Sequence, residues 1–173
     1  MTRSYRWKLF AAFMAAISLL LVLLAGLGFV AFKNYYLSNL EARLVNEANL
    51  VADMTSYRQG DGTGIRSYQD ICISAARDSA SRITIIDADG VVLGDSEASP
   101  GQLDNHSSRP EVYSALHGDT GVQIRYSDTL AMDMLYVAVP FNNADKKGAV
   151  RLAMPLADLQ SIYNHALTGL LGI

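Results

Sequence analysis

RITIIDADGVVLGDS, residues 82–96, decides the fold. Two β-branched runs, RITIID and VVLGDS, flank Ala88-Asp89-Gly90, and an Asp-Gly turn between such runs signals a hairpin. Three further runs follow at strand period: GVQIRYS (121–127), MDMLYVAVPF (132–141) and KGAVRLAMP (147–155). Short polar turns join them, NNADKKG (142–148) being the clearest. Five strands are predicted, and their close spacing predicts an antiparallel meander.

Upstream of the hairpin the period is helical. In residues 34–57, Leu37, Leu40, Leu44, Ala48, Val51 and Met54 or Thr55 recur every three or four positions, with Glu41, Arg43, Asn46 and Glu47 opposite. Such a stripe can pack on its own domain or pair with a second copy, and a homodimer through this helix is the expectation. QGDGTG (59–64) lacks the strand and the Gly-Lys-Ser/Thr of a phosphate loop, so it reads as a turn. A second helix is predicted over 65–80, with Ile65, Tyr68, Cys72, Ala75 or Ala76, and Ser79 on one side. The predicted class is α+β: a five-stranded antiparallel sheet with helices on one face.

Residues 9–32 are 24 positions without a charge. As a helix they span roughly 36 Å, enough to cross a bilayer core with some tilt. No A-x-A cleavage site follows, so an uncleaved anchor is expected. Arg3, Arg6 and Lys8 precede the span, and all 17 acids lie after it. The positive-inside bias places residues 1–8 in the cytoplasm and residues 33–160 outside the plasma membrane. After Asp158 the chain reads LQSIYNHALTGLLGI; residues 161–173 are expected to open a truncated second membrane helix, the alternative being the last turns of an amphipathic helix packed on the domain.

From Lys33 onward, eleven Lys and Arg face 17 acids, a net of −6. With no basic stripe, no nucleic-acid partner is predicted. Cys72 is the one cysteine, set in Ile71-Cys72-Ile73, and reads as a buried small side chain. The three histidines, His106, His117 and His165, are scattered, and no carboxylate pair has ligand spacing, so neither a metal nor another cofactor is predicted. No nucleophile elbow or Cys–His arrangement points to catalysis.

The polar run at 95–116 is the candidate site. Ser108-Arg109-Pro110-Glu111 fits a capping box, with Pro110 tolerated in the first turn and Gly118 as the helix stop. Val112, Tyr113 and Leu116 are expected to face the core. Capping leaves Asn105, His106 and Arg109, which can receive an anion at the helix start or instead bond the hairpin backbone and hold the loop. Arg125 lies on the opposite face of its strand from Val122, Ile124 and Tyr126. It can reach a pocket, or pair at the surface with Asp128 or Asp133, the pairing being the expectation.

VVLGDSE (91–97), NHSSRPEV (105–112) and RYSDTLAMDMLYVAVP (125–140) resemble blocks in the extracytoplasmic domain of phosphate-regulon-type sensor histidine kinases of Gram-positive bacteria, a single-Cache, PAS-like module. The resemblance implies an input module for an extracytoplasmic small-molecule or envelope ligand. It also implies a second span, HAMP or PAS modules, and an ATP-dependent kinase that engages a response regulator. This chain has no phosphoacceptor His-Glu motif or nucleotide-binding glycine box, so the response regulator is a partner only through a kinase part it lacks. A chemoreceptor's Cache sensor and a free-standing membrane-anchored binding protein are the other readings.

Overall fold

The structure, a computed structural model, describes residues 2–56, 67–77, 79–128, 130–142 and 146–156. The chain divides into two compact units, Met1–Asn39 and Leu40–Ile173. Helix α1, Thr2–Ser56, supplies all of the described first unit. Among the described residues it is the one helix long and apolar enough to cross a membrane, and most of its apolar side chains between Leu9 and Val30 are exposed. The expected second span at 161–173, the QGDGTG turn at 59–64 and the predicted helical positions 57, 65, 66 and 78 lie outside the described residues.

In the second unit, the last turns of α1 bury Leu44, Ala48, Val51, Ala52 and Thr55. This is the predicted stripe, and it settles the choice at its end: Thr55 is buried, whereas Met54 is 43% exposed. Helix α2 is Tyr68–Ala76, shorter than predicted, and opens on a capping box. Ser67 Oγ accepts from the Asp70 N–H at 3.0 Å while Asp70 Oδ2 accepts from the Ser67 N–H at 3.1 Å.

The five strands are β1 (Arg82–Asp87), β2 (Val92–Asp95), β3 (Gly121–Ser127), β4 (Met132–Asn142) and β5 (Lys147–Pro155). All pairings are antiparallel, in the order β2-β1-β5-β4-β3. The meander expectation holds for β3, β4 and β5; β5 then returns to pair with β1, which puts it at the centre. At the β1–β2 turn Asp87 Oδ1 accepts from the N–H groups of Asp89 and Val91, and Gly90 takes φ +85°.

Register sorts the side chains. Ile83, Ile85, Leu135, Val137, Val150 and Leu152 share one face and are each at most 1% exposed. Helix α2 approaches on this side, where a Cβ on Gly94, paired with Ile85, would come within 2.6 Å of the Tyr68 backbone. The other face carries Ile86, Ala138 and Ala149, packed under Val112 and Ala115 of helix α3, Pro110–Leu116. Helices thus cover both faces, not the single face expected, because neither side of this sheet is polar enough to face water.

Candidate functional site

Helix α3 is seven residues long, starts at Pro110 and uses Arg109 as its N-cap without a side-chain bond. The predicted Ser108 cap is therefore displaced. Its C-terminus is a Schellman stop, with Gly118 at φ +97°, Gly118 N–H to Ala115 O and Asp119 N–H to Ser114 O. Val112 is buried and Leu116 half-buried as expected, but Tyr113 is 58% exposed and stacks on His117, ring centroids 4.1 Å apart. Gly121 of β3 lets the helix come close, since a Cβ there would collide with the Glu111 backbone.

Close approach drives Glu111 into the protein, which is why it is not a capping residue. Its side chain has no exposed surface. Arg125 donates to it as a fork, Nη1 to Oε2 at 3.2 Å and Nη2 to Oε1 at 3.1 Å. Arg151 of β5 donates from Nε to Oε1 at 2.9 Å. The expected surface pairing of Arg125 with Asp128 or Asp133 does not form, because Glu111 offers a desolvated bidentate partner. Burial pushes the Glu111 carboxyl up, but Arg151, a backbone N–H and Arg125 together outweigh it and hold it below the ordinary carboxylate value.

Both guanidinium groups also lie over Tyr136, Arg125 at 4.1 Å and Arg151 at 4.4 Å from the ring centroid. Strand pairing fixes the surroundings. Arg151 stands between Thr84 and Ala138, and the next row on this face reads Arg82, Ala153, Tyr136, Gln123. A small side chain, Ala153, thus sits on the floor between Arg82 and Tyr136, with Arg151 two residues along the same strand. Met134 and Tyr136 pack on Ala153, and the half-buried Met132 extends that apolar floor.

Arg82 at the far side is tied to Asp95, Nε lying 3.0 Å from each carboxylate oxygen. Asp95 has no exposed surface and accepts further bonds from Thr84 Oγ1 and the N–H groups of Glu97 and Ala98. Three arginines, Arg82, Arg125 and Arg151, thus meet the buried acids Asp95 and Glu111 and the exposed Glu97, whose Oε2 lies 3.7 Å from Arg82 Nε.

The structure separates the four sequence-predicted residues. Arg125 stands at the centre of the cluster. His106, 8% exposed, is neutralised by burial and by the nearby charge of Arg151, which outweigh its bond to the Asp104 carbonyl and push its pKa down. Asn105 is spent on the hairpin, its Nδ2 donating to Asp89 O at 2.8 Å and its Oδ1 accepting from Ser107 N–H at 2.8 Å. Arg109 is exposed at the start of α3. Sequence reasoning missed Arg82, Tyr136 and Arg151. Arg151 carried a usable signal, a lone cation in the apolar run of a central strand, GAVRLAMP.

A five-stranded antiparallel sheet with a helix on each face and a polar cluster beneath α3 defines a PAS-like sensory domain. The chain belongs to the single Cache-like family, whose pattern matches residues 34–155. The same fold is seen in the ligand-binding domain of the Campylobacter jejuni chemoreceptor Tlp3 in complex with 4-methylisoleucine, with TM-score 0.57 and 14% identity over 72% of this chain and 55% of that one. The ligand-binding domain of the Pseudomonas aeruginosa amino acid chemoreceptor PctC in complex with GABA gives 0.50 and 20% over 72% and 58%. The sensor domain of Escherichia coli DcuS gives 0.50 and 18% over 72% and 97%. The chain spans little more than half of those chemoreceptor domains. No curated protein matches it.

Proposed function

We propose that the chain is the input module of a membrane-bound two-component histidine kinase of the phosphate-regulon type found in Gram-positive bacteria. One observation carries the reading: a single Cache-like domain follows directly on a helix able to cross a membrane. The domain lies outside the cell and detects a small molecule on the sheet face that carries Arg125, Arg151, Tyr136 and Arg82. His106 lies close enough to Arg151 to feel its charge, while Asn105 and Arg109 shape the loop from the hairpin to α3. Two copies pair along α1 through Leu37 and Leu40, the part of the stripe its own domain leaves partly exposed, so that a ligand favouring one arrangement shifts the dimer toward it.

The coding sequence that follows residue 173 tests this. A second span, a histidine-bearing dimerisation helix pair and an ATP-binding domain are expected. A methyl-accepting signalling coil there would instead make the chain a chemoreceptor input, and a separate soluble enzyme would overturn both.

A further inference from the structure

We propose that His106 is an acid-released latch: neutral, it holds the loop 104–109 on the β1–β2 turn and sets the start of α3; protonated, it frees that loop and helix to move. The backbone shows what the latch holds. His106 N–H donates to Gly90 O at 2.8 Å, and His106 O accepts from the N–H of Arg109, the N-cap of α3, at 3.0 Å. Asn105 Nδ2 bonds Asp89 O on the same turn, and a Cβ on Gly90 would collide with Asn105 and Ser107. One buried residue thus joins the hairpin to the helix that carries Glu111.

The ring has a basic nitrogen but no place for the charge. Nδ1 lies 2.8 Å from Asp104 O, a carbonyl that only accepts, so Nδ1 carries the proton and Nε2 is the basic nitrogen. His106 is 8% exposed, and the charges of Arg151 from β5, Arg109 from the start of α3 and Arg82 from β1 all oppose a second proton. Among the described residues no carboxylate oxygen comes within 4.0 Å of either ring nitrogen. The acids of the neighbouring elements are engaged elsewhere: Glu111 of α3 with Arg125 and Arg151, Asp95 and Glu97 with Arg82, and Asp87 of β1 with N–H groups of the turn. Asp89 and Asp104 are exposed. An imidazolium here is a desolvated cation among cations, and moving into water with its loop relieves both costs. Glu111, held below the ordinary carboxylate value, stays ionised at about pH 5, so the arginines keep their partner.

The test is hydrogen exchange of the full 173-residue chain in lipid nanodiscs at about pH 7.5 and about pH 5, with the intrinsic pH dependence of exchange divided out. Amides of 104–116 are expected to exchange at least about fivefold faster at the acid pH, while those of β4 and β5 are unchanged. His106→Gln keeps an N–H donor for the Asp104 carbonyl and cannot titrate, so it should remove the acid acceleration. Arg109→Gln, at an exposed position, takes one opposing charge from the ring and should reduce the acceleration; it decides the matter if His106→Gln does not fold. Equal exchange at both pH values, or acceleration spread evenly into β4 and β5, would overturn the latch. So would acceleration left at full size in His106→Gln, or in Arg109→Gln where His106→Gln does not fold. None of these results touches the coding sequence after residue 173, so the latch and the sensor reading fail separately.

Discussion

Glu111 holds two guanidinium groups with one desolvated carboxylate, and removing its charge strands a buried arginine. Glu111→Gln is expected to cost about 3–5 kcal/mol in chemical denaturation, because Arg151 then keeps an uncompensated charge. The double variant Glu111→Leu with Arg151→Met is expected to recover most of that loss, which a double-mutant cycle reads directly. His106 sets a second expectation. Its folded pKa lies below the ordinary 6.5, so between those two values the unfolded chain holds more protons. Stability therefore rises with pH across that window and is lost on acidification through it. His106→Gln should flatten the slope of melting temperature against pH just below 6.5; an unchanged slope would discount the buried neutral imidazole. None of this was visible locally. Ser108 to Glu111 matches a capping pattern, and its partners stand 14 and 40 residues further on, beyond any window that reads a helix start.

At the scale of elements, three S-x-x-acid patterns occur, at Ser38, Ser67 and Ser108; the first lies inside α1, and of the two at helix starts only that of Ser67 caps a helix. Ser67→Ala is expected to destabilise the domain by about 1 kcal/mol, whereas Ser108→Ala is expected to change stability by less than about 0.5 kcal/mol. Equal losses in thermal melts would contradict the capping geometry. The strands were readable because alternation, β-branching and the Asp-Gly turn agree in type and place. The sheet order was not, since nothing in the spacing says that β5 returns to β1. Burial on β3 was also opaque: Ile124 and Tyr126 are exposed while Arg125 is half-buried, as the polar side of this strand is the one α3 covers.

For the whole molecule, the apolar helix should keep the chain in the membrane fraction after high-salt and carbonate washes, and release by either would argue against a span. In native membranes, Leu37→Cys is expected to form a disulfide-linked dimer, and Arg43→Cys, on the opposite side of the stripe, much less of one. Cys72 does not interfere, because burial pushes its thiol up to about 12. Dimer formed equally from both positions would remove the seam. The site itself has a mechanical character that follows from the place of β5. Every residue from Gly148 to Ala153 is bracketed by partners on both β1 and β4, and a one-residue slip would turn Arg151 to the opposite face. The floor is consequently an anvil: stiff in its plane and unable to yield alone. Helix α3 is the hammer, one short body set between Arg109 and Gly118 and tethered to the anvil through Glu111.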